Sequence, residues 1–305
     1  MSKVSIVLPT YNGSRYLREA IANCLNQTYS NIELIVVDDA STDDTPAILA
    51  SYQDPRLQVI RHERNKRLPT ALNTGFAHAT GKYLTWTSDD NFYTPQAIET
   101  LVQYLEDHPL VAFVYSRCWL VDETGAVVGE VETGPPEGLE YNNCVGACFL
   151  YRREVYEAIG DYNAKVALSE DYEYWLRVMQ RFRMAFLDEP LYYYRQHSQS
   201  LTASDYGNYR AQRQTLRIRR TYFRLPWKPY TKQMSHWFIT EAFDSYRRGD
   251  MSNVRRTVNR GLLYDCTWLR NRGVLSLWLQ SFVGDRATSR LRKLVESLCR
   301  EHTKV

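Results

Sequence analysis

Short apolar runs alternate with amphipathic stretches over the first ninety residues of the chain. The runs are rich in β-branched and aromatic residues and have the length of buried strands, whereas the stretches between them repeat apolar residues at helical spacing. The resulting order, β-α-β-α-β-α-β, predicts an α/β fold with a mostly parallel sheet, right-handed crossovers and flanking helices. The predicted strands cover residues 4–9, 33–39, 57–61 and 82–88.

The pattern changes after residue 110 and again near residue 205. Beyond residue 110, strands are predicted over 111–121, 126–128 and 184–194, and helices over 152–159 and 171–182. Beyond residue 205 the apolar spacing is helical, with helices predicted over 206–224, 230–248, 251–263, 271–283 and 286–300.

The charge balance divides the chain at the same place. Residues 1–204 carry 17 Lys or Arg and 27 Asp or Glu, whereas residues 205–305 carry 21 and 8. So sharp a change predicts two domains, 1–204 and 205–305, of which the second is a basic C-terminal helical appendage.

Composition excludes several classes of protein. A hydrophobic content of 44% and a charged content of 24% are those of an ordinary globular protein. The six cysteines form no CxxC pair and no Cys/His ligand spacing, which argues against structural zinc and favours a reducing compartment. No signal peptide is visible and no apolar stretch approaches 18 residues, so we expect a cytoplasmic protein without a spanning helix.

Two adjacent carboxylates, Asp89 and Asp90, follow the fourth predicted strand. Open α/β sheets bind their ligands at the carboxyl ends of strands, and carboxylates there suit a hard divalent cation and a phosphorylated substrate. Asp38 and Asp39 end the second strand at the same edge, where residues 9–12 end the first. The alternative is that Asp89 and Asp90 only cap the next turn and helix.

A third acidic pair, Glu170 and Asp171, opens a predicted helix. Asp171 lies four residues before Trp175 and so on the inward side of the helix, while Glu170 is rotated about 100° away. An acid that faces the interior needs a partner or a chemical task. The alternative for Asp171 is again a helix cap.

These motifs together resemble those of family 2 glycosyltransferases, which have a Rossmann-like, A-type nucleotide-sugar-binding fold. The resemblance covers about residues 4–200, and the Thr87–Asn91 motif is similar to that of spore-coat-type members. It implies that residues 1–204 form the nucleotide-sugar-binding catalytic domain, with an acceptor-side subregion from about residue 110. The matching segments are residues 5–12, 33–43, 71–75, 88–90, 170–176 and 194–198.

The resemblance also implies roles for individual residues. Asp171 should be the catalytic base, and Asp90 and His197 should hold Mn²⁺ or Mg²⁺. Asp39 should accept a hydrogen bond from the imide N–H of a uracil-type base, so that the donor is a UDP-sugar. The implied substrate-binding residues are Pro9, Thr10, Tyr11, Asn12, Asp39, Arg67, Asn73, Asp89, Glu170, Arg195 and Ser198.

One loop departs from the family pattern. The family often has a glycine after the position of Asn65, whereas Lys66 and Arg67 follow here. Their side chains could approach the diphosphate or the donor sugar, or remain in solvent.

The residue types suit this chemistry independently of the family. A divalent cation stabilises a departing nucleoside diphosphate, and a carboxylate can take the proton of the attacking hydroxyl. A metal-binding acid and a base on opposite sides of the sugar predict a single displacement with inversion. The resemblance to the family implies a glycan or lipid-linked acceptor in surface polysaccharide synthesis. The alternatives are a sugar nucleotidyltransferase, whose glycine-rich basic loop is missing after the first strand, and an inactive sugar-binding or scaffold protein.

Several other side chains have structural interpretations. His62, His78 and His108 end predicted elements and are expected at the surface. Cys144 and Cys148 are expected to pack rather than react. Trp119 and Tyr141 could stack on an acceptor sugar or pack in the core; the sequence leaves both open.

The basic C-terminal region carries no nucleic-acid-binding module, so we expect no nucleic-acid partner. Residues 274–279, with Arg270, Arg272 and Arg286 around them, are typical of an interfacial helix at the inner face of a membrane. The alternative is a packed helix, because Leu275, Trp278, Leu279 and Phe282 also have the spacing of a core stripe.

Overall fold

The computed structural model describes residues 1–166, 168–200 and 209–282. The chain divides into two compact units, Met1–Ser204 and Asp205–Val305. The predicted boundary near residue 205 and the helix predicted over 286–300 lie outside the described residues. Each unit is described by itself.

The first unit is an α/β domain built on one sheet, which in the described part of the chain has nine strands. Strands β3, β2, β1 and β4 lie side by side and are parallel. The remainder is mixed, since β4 pairs antiparallel with β8 and β8 with β6, while β6 and β9 are parallel. The predicted fold class is confirmed, with the mostly parallel part confined to β1–β4. The strands are β1 Val4–Thr10, β2 Ile32–Asp38, β3 Leu57–Arg61, β4 Tyr83–Trp86, β5 Phe92–Tyr93, β6 Phe113–Val121, β7 Val127–Glu130, β8 Phe149–Arg152 and β9 Met184–Arg195.

Helices cover both faces of this sheet. On one face, α1 and α4 bury an apolar stripe that includes Leu17, Ile21, Ile98 and Leu101 against the strands. On the other, α3 packs so closely on β1 that a Cβ at Gly75 would lie 2.3 Å from a methyl carbon of Val7. The helices of this unit are α1 Leu17–Leu25, α2 Thr45–Ala50, α3 Leu68–His78, α4 Ala97–Asp107, α5 Arg153–Ile159 and α6 Glu170–Met179, with a 3-10 turn at Pro136–Glu140.

The second unit is helical over its described residues. Apolar side chains of its helices form two clusters, and a buried ion pair joins Arg213 Nη1 to Glu241 Oε2 at 2.5 Å. No helix in the described ranges is long and apolar enough to cross a bilayer. The helices are α7 Arg210–Phe223, α8 Trp227–Arg247, α9 Met251–Tyr264 and α10 Arg272–Gln280, with a 3-10 turn at Cys266–Arg270.

Helix α10 does not bury the predicted stripe. Val274 and Leu277 face the apolar cluster, whereas Leu275, Leu279 and Phe282 are 37%, 47% and 54% exposed. The helix has apolar residues on two sides, and spacing alone does not say which side is packed.

Candidate active site

The carboxyl ends of β1, β2 and β4 meet at one edge of the sheet. Thr10 is paired with Asp38 across β1 and β2, and the Thr87 N–H donates to the Val7 carbonyl at 2.9 Å. The Thr10 hydroxyl donates a short hydrogen bond to Asp89 Oδ2. Helix α4 begins at Ala97 with Gln96 as N-cap, so the alternative that Asp89 and Asp90 cap this helix is wrong.

Gly13 makes room for the Asp89 carboxylate. A Cβ at residue 13 would lie 1.9 Å from Asp89 Oδ2 and 2.6 Å from Thr10 Oγ1. The carboxylate is thus held between the end of β1 and the glycine backbone. Burial, and then the charge of Asp90, raise the pKa of Asp89 to about 7. A buried carboxyl whose pKa is raised by a neighbouring carboxylate marks a place where positive charge is favourable.

Asp90 and His197 form the pair with the chemistry of a metal site. His197 Nε2 lies 2.9 Å from Asp90 Oδ2. The second carboxylate oxygen of Asp90, Oδ1, is buried and has no hydrogen-bond partner among the described residues. The same is true of the second ring nitrogen of His197, Nδ1. Imidazole and carboxylate are common ligands of divalent ions, so these two side chains fit the implied Mn²⁺ or Mg²⁺.

The protein ligands are too few to hold such an ion alone. In the ranges that the structure describes, no group of three or more His, Cys, Asp or Glu side chains is arranged around a common point. Octahedral cations at nucleotide sites commonly take one or two carboxylates and complete their shell with phosphate oxygens and water. The Asp90–His197 pair therefore suits an ion that is bound together with a diphosphate.

Asp39 directly follows β2 and is 3% exposed. Its Oδ1 lies 2.6 Å from His62 Nδ1, and its two oxygens accept the backbone N–H groups of Lys66 and Arg67 at 2.7–3.0 Å. The Arg67 backbone has a φ of 71°, in the left-handed region, and its side chain is exposed. The loop that departs from the family pattern thus binds Asp39 through its backbone.

The prediction of a surface position for His62 is wrong, since the residue is 8% exposed, whereas His78 and His108 are exposed as predicted. The strand register explains the burial. Asp38 is paired with Arg61 across β2 and β3, so the next residues, Asp39 and His62, lie side by side.

The residues that end β1 differ in exposure. Pro9 is buried within the strand, and Tyr11 is 49% exposed at the sheet edge, where its ring is accessible. Asn12 has a φ of 55°, and its side-chain oxygen accepts the Thr42 N–H at 2.8 Å. Asn12 therefore joins the β1 and β2 loops.

Two of the implied substrate-binding residues have other roles in this structure. The Asn73 amide bonds to the backbone N–H and carbonyl of Tyr162 at 2.8 and 2.9 Å, which uses both of its ends. Arg195 is 4% exposed; its guanidinium pairs with Glu19 at 2.9 Å and lies over the Tyr16 and Phe92 rings.

The roles of Asn73 and Arg195 in substrate binding stay predictions. Both side chains bond to partners distant in sequence, which a motif cannot show, and Arg195 Nε is buried without a hydrogen-bond partner among the described residues. Ser198 follows β9 and is exposed.

Asp171 lies in the first turn of α6, where Ser169 is the N-cap, so the capping alternative is wrong for Asp171. Its Oδ2 accepts the Asn143 amide at 2.8 Å and its Oδ1 the Tyr172 N–H at 2.7 Å. Burial raises the pKa of Asp171, while these two donors lower it. Asn143 follows the 3-10 turn, and no periodicity in the sequence points to it.

The expectation that Glu170 faces away from the interior is wrong. Glu170 is 7% exposed, and burial together with the charge of Asp171 raises its pKa to about 7. The helical wheel does not account for a loop that packs on the first turn of a helix, such as the one that brings Asn143 to Asp171. The Glu170 carboxyl is therefore withdrawn from solvent, whereas Asp171 is half-buried.

Tyr162 connects the segment before α6 with the end of β4. Its hydroxyl accepts the Trp86 indole N–H at 3.0 Å, and its ring stacks on Tyr174 with centroids 4.1 Å apart.

Trp119 is half-buried and Tyr141 is 67% exposed. Cys144 and Cys148 are buried, and burial raises the pKa of the Cys148 thiol, in keeping with packing roles.

Comparisons of sequence identify the family. Residues 5–160, about half of the chain, match the model described as glycosyl transferase family 2, and the chain belongs to this family. It is 34% identical over 206 residues to EpsE of Bacillus subtilis, which is named as a glycosyltransferase; the match covers 64% of this chain and 74% of EpsE. It is 31% identical to WfaP of Escherichia coli, named a UDP-Glc:alpha-D-GlcNAc-diphosphoundecaprenol beta-1,3-glucosyltransferase, with 68% of this chain and 82% of WfaP covered.

Solved structures share the fold. TarS 1-349 of S. aureus in complex with UDP-GlcNAc has a TM-score of 0.59 at 17% identity, with 92% of this chain and 79% of that chain covered. The mannosyltransferase PcManGT of Pyrobaculum calidifontis, in complex with GDP-Man and Mn2+, has a TM-score of 0.57 at 18% identity, with 98% and 86% covered.

Proposed function

We propose that the protein is a metal-dependent, inverting glycosyltransferase. It moves a hexosyl group from a nucleoside-diphosphate sugar, a UDP-sugar, to a hydroxyl of a glycan or lipid-linked acceptor in surface polysaccharide synthesis. The observation that carries the proposal is the Asp90–His197 pair, whose buried Oδ1 and Nδ1 atoms have no partner among the described residues. The WfaP relative, named for a UDP-Glc donor and a diphosphoundecaprenol acceptor, supports the substrate class.

At the donor side, Asp90 and His197 would hold Mn²⁺ or Mg²⁺. When bound, the ion would neutralise the charge that develops on the departing nucleoside diphosphate. Asp89, which Thr10 and Gly13 hold in place, would accept hydrogen bonds from the ribose or the donor sugar. The exposed ring of Tyr11 would lie beside the base, and the Asp39 carboxylate would bind the base itself.

At the acceptor side, Asp171 accepts the proton of the attacking hydroxyl. Asn143 and the Tyr172 N–H favour the ionised form of its carboxyl, which a base requires before the reaction. The hydroxyl oxygen attacks the anomeric carbon as the bond to the diphosphate breaks on the opposite face. The proton ends on Asp171, and the configuration of the sugar is inverted.

Helix α10 supports a peripheral contact with an anionic membrane, where a lipid-linked acceptor would be found. Its exposed Leu275, Leu279 and Phe282 recur at helical spacing, and Arg270 and Arg272 beside them are exposed. Apolar side chains flanked by cations are typical of helices that lie in the membrane interface.

The experiment that tests the proposal is a panel of nucleotide sugars, each with and without Mn²⁺, scored by thermal stabilisation and then by transfer. A ligand that binds only the folded state raises its stability, by an amount that grows with the logarithm of the ratio of ligand concentration to Kd once the ligand is in excess, so a UDP-sugar should raise Tm only with the metal present. Stabilisation without transfer or donor hydrolysis would favour an inactive sugar-binding protein. Release of pyrophosphate from UTP and a sugar phosphate would favour a nucleotidyltransferase.

A further inference from the structure

His62 is fixed on both sides of its ring. Nδ1 lies 2.6 Å from Asp39 Oδ1, and because an ionised carboxylate only accepts, the ring nitrogen is the donor. Nε2 lies 3.0 Å from Thr74 Oγ1 in α3. The Thr74 hydroxyl in turn lies 3.0 Å from the Thr70 carbonyl, which also only accepts. A neutral ring that carries its proton on Nδ1 has an acceptor at Nε2, and the Thr74 hydroxyl is within reach of it.

The Asp39 carboxylate is close to saturated by protein donors. Within the described residues it receives three N–H groups, from His62, Lys66 and Arg67. A carboxylate has about four lone-pair positions, and the Lys66 N–H reaches both oxygens, so a ligand donor can be accommodated only where this shared contact gives way. A uracil-type base offers a ring N–H that can use this position, whereas cytosine offers a ring acceptor there.

We propose that His62 is a positioning residue for nucleobase selection. His62 does not contact the base. Its hydrogen bond to Oδ1 fixes the orientation of the Asp39 carboxylate, so that the carboxylate presents an acceptor to the base and favours bases with a ring N–H donor. The inference rests on the proposed role of Asp39 in binding the base. It adds that the orientation of the carboxylate, and not its charge alone, determines the preference.

Two substitutions separate the two sides of the ring. The amide nitrogen of Asn can take the place of Nδ1 and donate to Asp39, whereas that of Gln takes the place of Nε2 and reaches Thr74 instead. The experiment measures UDP and CDP affinities by calorimetry, with Mn²⁺, for the unmutated protein, His62→Asn and His62→Gln. His78 is exposed on α3 and bonds only the Thr74 carbonyl through Nδ1, so His78→Asn and His78→Gln are matched controls.

We expect the unmutated protein and His62→Asn to prefer UDP. His62→Gln should lose about tenfold of that preference, the scale of one hydrogen bond to a charged group, and the controls should lose none. A structural role alone would weaken UDP and CDP equally in His62→Gln, and this result would overturn the inference. An unchanged preference in His62→Gln would overturn it as well.

The result also separates this inference from the proposed function. Equal affinities for UDP and CDP in the unmutated protein would remove the role of Asp39 and with it that of His62. A preference that His62→Gln leaves intact would remove only the role of His62. If His62→Gln does not fold, the ratio of UDP to CDP affinity is measured for Thr74→Val instead. This variant should lose about threefold of the preference for UDP, the scale of one neutral hydrogen bond. An unchanged preference in Thr74→Val would overturn the inference.

Discussion

Asn143 donates a hydrogen bond of 2.8 Å to Asp171, so the loop after the 3-10 turn holds the proposed base in one orientation. The 3-10 turn before this loop is bonded to the same helix, because the Tyr172 hydroxyl donates to the Leu139 carbonyl at 2.5 Å. The rotamer and pKa of the proposed base therefore depend on a loop residue.

Asn143→Ala should move the pH dependence of turnover. Burial raises the pKa of Asp171, and the Tyr172 N–H and the Asn143 amide lower it, so that removing the amide raises it further. The acid limb of kcat should shift to higher pH. Asn142→Ala, at an exposed neighbour, is the control. An acid limb that stays in place in Asn143→Ala would show that the contact does not affect the base.

Asp171→Asn should lower turnover by about 10²–10⁴-fold, the range for loss of a general base. Asn can still accept the Tyr172 N–H, so donor affinity and Tm should change little. Glu170→Gln should cost less, because the carboxylate of Asp171 remains. These effects are measured as initial rates with a verified acceptor. Near-normal turnover of Asp171→Asn would exclude it as the base and make Glu170 the next candidate.

Asp90→Asn should abolish the Mn²⁺-dependent part of UDP binding and leave the fold intact. The amide carries no charge to attract the ion, although it retains an oxygen for His197. Calorimetry with and without Mn²⁺ measures the difference, and Asp107→Asn, at the exposed last residue of α4, is the control. Unchanged Mn²⁺-dependent affinity would rule out the assigned role.

Asp89→Asn should change how stability depends on pH. The pKa of Asp89 is about 7 when folded, above its ordinary value of 3.8, so the folded state holds this proton more tightly. The stability that protonation provides is present at low pH and is lost as pH rises through this window. Urea unfolding at pH 5 and pH 8 should show a smaller decline in Asp89→Asn. Equal declines would mean that Asp89 does not titrate in this range.

Replacing Leu275 and Leu279 together by Asp should abolish binding to anionic liposomes at low salt. The change removes apolar side chains and adds negative charge on the exposed side of α10. Leu110→Asp, at a residue of the first unit that is 76% exposed, is the control. Co-sedimentation that is already absent in the unmutated protein at low salt would exclude membrane contact.

The sequence predicted the elements that the hydrophobic pattern specifies directly. Strand β3 has the predicted bounds, and the predicted meeting of Thr10, Asp39 and Asp89 at one edge follows from parallel pairing of β1, β2 and β4. The same logic could have found His62, which follows β3 as Asp39 follows β2. Strand β5 was missed because two residues are too few for a periodic signal, and β8 because its four residues run directly into helix α5.

Partner choice at long range was not accessible from the pattern. Arg195 lies in a motif that implies substrate binding, yet its guanidinium donates a hydrogen bond to Glu19, 176 positions away. Asn143 finds Asp171 through a loop with no periodicity. Such contacts depend on how loops close over the sheet, which residue spacing does not encode.

Tyr162 has a mechanical consequence for the evolution of acceptor choice. The Asn73 amide in α3 is hydrogen-bonded to the Tyr162 backbone, and the indole of Trp86, the last residue of β4, is hydrogen-bonded to the Tyr162 hydroxyl. Movement of the segment that leads into α6 would break both hydrogen bonds. These contacts therefore oppose any change in the distance between Asp171 and the sheet edge that carries Asp89 and Asp90. Substitutions around the exposed residues Tyr141 and Asn142 could then change acceptor choice without changing the distance between the sheet edge and the proposed base.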